Sequence, residues 1–145
     1  MREPVNDEQK ARMEALLAKP VLARIASANP QTAQPHVVPV WYLWDGAYVW
    51  IHSYIGTRKI NELKHNPRCS VLIDVQDAQE GLTAVLFEGQ AELITGPFEF
   101  IKETATRIYL RYLGPEGILA KDPQSWLNDP ENLLIKVTPQ RTFSW

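Results

Sequence analysis

Four consecutive residues, Gly56-Thr57-Arg58-Lys59, put a hydroxyl, a guanidinium and an ammonium together at the opening of a short helical pattern. A helix start carries unpaired backbone N–H groups and the positive end of the helix dipole, so it favours anions. First-turn side chains are commonly acidic for that reason, and two cations there oppose the dipole unless an anion lies beside them. Arginine offers a phosphate a bidentate fork, and lysine a mobile point charge. The stretch reads either as a phosphate site or as two solvated basic side chains on a surface helix.

The neighbouring residues favour the first reading. His52 and Ser53 close the strand before this turn, and the strand expected to pair with it carries Val38-Pro39-Val40-Trp41. A flat aromatic ligand with a phosphate tail fits along these strands, its tail at Thr57, Arg58 and Lys59. Pro39 cannot donate to a ladder, which places its strand at an edge or a bulge and frees neighbouring backbone groups for ring heteroatoms. Trp41 and Trp44 serve equally well as ordinary packing. His52 titrates near neutral pH and is a candidate proton donor or ligand contact. His36 and His65 have no cysteine or carboxylate at metal-ligand spacing, so no metal is expected. Cys69, beside Val71 and Leu72, reads as a buried, inert thiol. No G-x-S-x-G, P-loop or G-x-G-x-x-G run occurs.

Composition narrows the class. At 145 residues, 45% hydrophobic and 22% charged, the sequence predicts one globular domain over residues 1–145. The single cysteine excludes an internal disulfide. With 15 Lys and Arg against 17 Asp and Glu, a global grip on nucleic acid is not expected. No apolar run is long enough to span a membrane, and Met1-Arg2-Glu3-Pro4 does not begin a signal peptide, so a cytoplasmic location is expected.

The elements that must position these residues follow from periodicity. Asn6, with Gln9 three places on, caps a first helix that Pro20 stops. Strands are predicted at residues 21–28, 36–44, 48–53, 69–76, 83–94 and 133–137. Asp45-Gly46 turns a hairpin, and Gly89 in mid-strand marks a bend or bulge. Thr57 caps a short helix that Asn66-Pro67 ends. The longest helix runs over residues 98–113 with Gly114 as its C-cap, and residues 114–132 hold a further short helix. Strands in consecutive blocks predict an antiparallel barrel with peripheral helices, since closure removes exposed edges.

Taken together, Pro39-Val40-Trp41-Tyr42, Asp45-Gly46, His52-Ser53, Thr57-Arg58-Lys59 and Asn66-Pro67-Arg68 resemble the pyridoxamine 5'-phosphate oxidase-like family. The likeness continues through Glu88-Gly89-Gln90-Ala91-Glu92 and Lys136-Val137-Thr138-Pro139 to Ser144-Trp145. It implies a mainly β, six-stranded antiparallel split barrel of the FMN-binding type, with peripheral helices. It also implies a homodimer with two flavin sites at the subunit interface. The family's phosphate-binding pair maps onto Arg58 and Lys59, with Thr57 beside them; further contacts map onto His52 and Ser53, onto Val38, Pro39, Val40 and Trp41, and onto Ala84. Oxidase members often carry a polar residue at the Ala84 position, and the substrate-phosphate Arg and Ser pattern after Ile94 and the longer C-terminal motif of the true oxidases are missing. The expected function is that of a short, general member: an FMN-dependent oxidoreductase moving hydride between a nicotinamide donor or small organic substrate and the flavin. A deazaflavin-dependent reductase and a non-catalytic flavin- or haem-binding protein are the alternatives.

Overall fold

The computed structural model describes Glu3 and residues 6–145. Asn6 caps α1 (Asp7–Leu17), its Oδ1 accepting the Gln9 N–H at 2.8 Å. Four further elements follow: β1 (Ala23–Ala28), β2 (Pro35–Val40), β3 (Leu43–Trp44) and β4 (Val49–Tyr54). Then come α2 (Arg58–His65), β5 (Arg68–Asp77), β6 (Gly81–Ile94), α3 (Phe98–Gly117), α4 (Lys121–Leu127) and β7 (Asn132–Ser144).

The strands form one antiparallel sheet in the order β2-β1-β5-β6-β7-β4-β3. Its two outermost strands are joined by only Trp41 and Tyr42. A step that short reaches at most ~11 Å between Val40 and Leu43, so the sheet has to curl round on itself. The chain closes the barrel, while the hydrogen-bond ladder stays open along one seam. One count therefore differs from the six strands expected: the run at residues 36–44 divides into β2 and β3. Tyr42 is the reason. Its N–H donates to the Tyr112 hydroxyl (3.1 Å), and its own hydroxyl, buried at 0% exposure, donates to the Leu17 and Lys19 carbonyls. A residue so anchored has left the ladder.

The division also corrects a pairing. Val38 lies opposite Ile25 of β1, and only Leu43 and Trp44 pair with β4. Pro39 sits on the outermost strand, where its missing N–H costs no ladder bond.

β7 runs to Ser144, beyond the expected 133–137. Pro139 argues for an end, but the register shifts there. Gly89 faces Pro139 and Glu88 faces Arg141, leaving Gln140 as the extra residue of a bulge. Gly89 permits this approach, because a Cβ on it would lie 2.1 Å from the Thr138 carbonyl oxygen.

Inward-facing residues of the strands, among them Ile25, Ile51, Val71, Ile73, Val85, Phe87 and Ile135, fill the barrel together with Leu16 and Leu17 of α1 and Ile60 and Leu63 of α2. A second cluster of Leu43, Ala105, Ile108, Tyr109, Ile118 and Leu127 fastens α3 and α4 to the outside of the sheet. Gly114 ends the regular part of α3 with φ at 74°, as its C-cap role requires, and Pro115 opens a further turn.

Candidate functional site

A cleft of about 460 Å³ opens over the seam of the barrel. One wall is Pro39, Val40 and Trp41, from β2 and the link after it; the other carries His52 and Tyr54 of β4 and Lys59 of α2. Ile108 and Tyr109 of α3 and Trp126 of α4 form its apolar side. β4 alternates strictly, so Val49, Ile51 and Ser53 point into the barrel while Trp50, His52 and Tyr54 point outward toward the helices.

His52 is held at both ring nitrogens. The Asn132 amide donates from Nδ2 to the Trp126 and Leu127 carbonyls, which fixes its Oδ1 as acceptor. Nε2–H of His52 donates to that Oδ1 at 2.7 Å, and Nδ1 accepts from the Tyr109 hydroxyl at 2.7 Å. The network selects the neutral Nε2–H tautomer. Burial pushes the imidazole below its ordinary value of 6.5, and the Lys59 charge acts the same way, against the Asn132 bond. Tyr109 and Tyr54 hydroxyls bond each other, which extends the network toward the mouth of the cleft. Burial raises both phenols, so they stay protonated at neutral pH.

Trp41 is pre-set by packing: it stacks on Tyr112 at 4.8 Å and 7°, and meets Tyr109 edge-on at 5.4 Å. Lys59 brings the positive charge. It is half-buried, burial lowers it from its ordinary value, and among the described residues no ion pair joins it to a carboxylate. Thr57 stands at the N-cap of α2 without a side-chain cap bond; its hydroxyl donates to the Tyr54 carbonyl at 3.3 Å.

The structure gathers Pro39, Val40, Trp41, His52 and Lys59 of the expected residues into this cleft. Val38, one residue from Pro39, is outside the lining. Ser53 is buried beneath the cleft, within 3.3 Å of the Thr57 hydroxyl. Arg58 leans back along α2 to Glu62, its Nε 3.4 Å from Oε2. Ala84 lies elsewhere, buried in β6 and paired through both backbone groups with Trp145. Tyr54, Tyr109 and Trp126 were missed. Tyr109 lies next to Ile108, which is buried on the same helix, and its bond to a histidine 57 residues away has no local sign.

Half-buried cation, unpaired helix start and aromatic walls suit a flat ring bearing an anionic tail, in a volume ordinary for a small-molecule site. Among the described residues no cluster of metal-ligating side chains occurs, and no helix is long and apolar enough to cross a membrane.

A family model described as pyridoxamine 5'-phosphate oxidase matches residues 9–145. The fold is similar to that of a conserved hypothetical protein from Mycobacterium tuberculosis (24% identity, TM-score 0.78, covering 100% of this chain and 88% of that one). It is similar also to an F420 reductase (22%, 0.71, 90% and 94%) and to a FAD-binding protein from Mesorhizobium loti (22%, 0.65, 90% and 88%). No curated protein matches the sequence.

Proposed function

The chain belongs to the pyridoxamine 5'-phosphate oxidase family, and on that premise we propose that it is a flavin-type oxidoreductase, holding FMN or a deazaflavin in the seam cleft. The observation that carries this reading is Lys59: a half-buried cation with no carboxylate partner among the described residues, at the opening of a helix and beside aromatic walls. When bound, such a cofactor supplies hydride transfer; the protein's part is to bind, orient and shield it.

In this reading Lys59 and the free N–H groups at the start of α2 hold the phosphate. Trp41 and Tyr109 flank the ring, and backbone groups beside Pro39 serve its heteroatoms. His52, fixed as the neutral tautomer by Tyr109 and Asn132, acts as a rigid polar wall; its single N–H is already committed to Asn132. No side chain is assigned as acid or base, because reducing or reoxidising a flavin needs little beyond an accessible ring face. The second substrate is a nicotinamide donor or a small organic molecule. The protein works as a homodimer that completes each site at the subunit interface; a monomer in light scattering with a full cofactor complement contradicts that part.

The deciding experiment is mass spectrometry and absorbance of whatever co-purifies. Yellow protein releasing FMN, bleached by a nicotinamide donor, supports the reading in its FMN form. Colourless protein that binds only the deazaflavin supports the second form, in keeping with the similarity to an F420 reductase. A Soret band, or a flavin that no donor bleaches, overturns the oxidoreductase in favour of a haem- or flavin-binding protein.

A further inference from the structure

We propose that Glu62 is a positioning residue that sets the gap between the two walls of the cleft, holding the Pro39–Trp41 wall at a fixed distance from Lys59; this rests on the reading of the cleft as a flavin site. The Glu62 side chain is 3% exposed yet carries donors from three separate elements. Oε1 accepts from Ser27 Oγ of β1 at 2.8 Å and from His36 Nδ1 of β2 at 2.8 Å. Oε2 accepts from Arg58 Nε of α2 at 3.4 Å. Burial alone would raise the carboxyl, but these donors together hold it below its ordinary range, so it stays ionised and all three bonds persist at neutral pH.

The location gives the contacts their meaning. His36 is three residues before Pro39 on the same strand, and Glu62 is three residues after Lys59 on the same helix, close to one turn. One carboxylate therefore connects both walls at their bases. β2 needs such a tie because it is outermost and has a neighbouring strand on one side only. Ile60 and Leu63 seat α2 on the core, but apolar contacts are non-directional and do not by themselves fix its position relative to β2. The bonds to Ser27 and His36 are directional and do fix it. A misplacement near 0.5 Å is enough to disable a binding constellation.

The competing role for Glu62 is a plain counter-charge that pairs with Arg58 and lowers the affinity of the site for anions. FMN and riboflavin separate the two, since riboflavin presents the same ring without a phosphate. Both are titrated into the full-length protein and its variants by flavin fluorescence, at a temperature where circular dichroism shows every variant folded. Glu62→Leu, which removes both acceptor oxygens, is expected to weaken FMN and riboflavin alike, by about tenfold, as when a partner that orients a binding group is removed. Arg58→Gln is expected to weaken FMN alone. His36→Phe, which removes the N–H from β2 and leaves α2 untouched, is expected to reproduce the riboflavin loss and to add nothing further to Glu62→Leu. His36→Asn keeps an N–H near the position of Nδ1 and is expected to restore affinity. If Glu62→Leu does not fold, the two His36 variants decide the matter alone. Riboflavin affinity unchanged in Glu62→Leu and in His36→Phe, or FMN binding tightened by Glu62→Leu, overturns the positioning role and leaves the site intact. Wild-type protein that binds only the deazaflavin moves the same titrations to that cofactor and its phosphate-free form; wild-type protein that binds none of these removes the site itself, and the inference with it.

Discussion

Replacing each cation of the Arg58-Lys59 pair separately tests the site where sequence and structure diverge. By sequence alone the two are equivalent phosphate ligands. In the structure Lys59 lines the cleft, whereas Arg58 has a side chain 58% exposed and directs Nε toward Glu62. A charge-assisted hydrogen bond in a partly desolvated site contributes about 1.5–3 kcal/mol. Lys59→Met is thus expected to weaken FMN roughly ten- to a hundredfold, at about 1.4 kcal/mol per decade. An exposed ionic contact contributes about 0–1 kcal/mol, so Arg58→Met is expected to cost no more than about fivefold. That smaller loss should fade in high salt, because the screening length shrinks to about 3 Å at 1 M. Isothermal titration with FMN, and with riboflavin as the phosphate-free control, reads both. An Arg58 loss equal to or larger than the Lys59 loss, or a riboflavin loss matching that of FMN at Lys59→Met, refutes the assignment of Lys59 to the phosphate.

Other expectations follow from single residues. Gly89→Ala drives a Cβ to 2.1 Å from the Thr138 carbonyl oxygen, a backbone atom that cannot swing aside, so a large drop in melting temperature is expected in calorimetry; an unchanged midpoint means the bulge relaxes freely. The Cys69 thiol, pushed up to about 12 by burial, is expected to ignore Ellman's reagent at pH 8 until urea unfolds the chain. For His52 the folded form resists protonation while the unfolded chain takes up its proton near 6.5. Stability is therefore full above about pH 6.5 and declines as pH falls from there through the lowered folded value, and urea melts of His52→Gln should lack that slope. Glu62 acts in a separate window: its ionised form is the one the fold stabilises, so its contribution is lost as pH falls below 4.5, and Glu62→Gln should flatten that lower limb.

Much of the scaffold is legible in local pattern. The Asn6 cap, the shared face of Trp50 and His52, the edge position of Pro39 and the bulge at Gly89 all come from rules acting over a few residues. What escapes depends on contacts distant in the chain. The break at Trp41–Tyr42 is imposed by Tyr112 and by carbonyls at the end of α1, and nothing in an unbroken aromatic run announces them. β7 passes Pro139 only because Gly89, on the opposite strand, leaves room. The site divides the same way. Lys59 and His52 stand out by type and spacing, whereas the roles of Tyr109, Asn132 and Glu62 depend on partners 57, 80 and 35 residues away.

The open ladder leaves two strand margins without a neighbour, at β2 and at β3. A strand at a sheet margin exposes alternate backbone donors to any passing chain, and that is how β proteins come to polymerise. On β2 the alternate positions sharing the parity of Pro39 are Pro35, Val37 and Pro39, and of these only Val37 has an N–H to offer. The opposite margin, β3, is two residues long and offers little to copy. Neither rim therefore presents a run of backbone donors that another strand could copy.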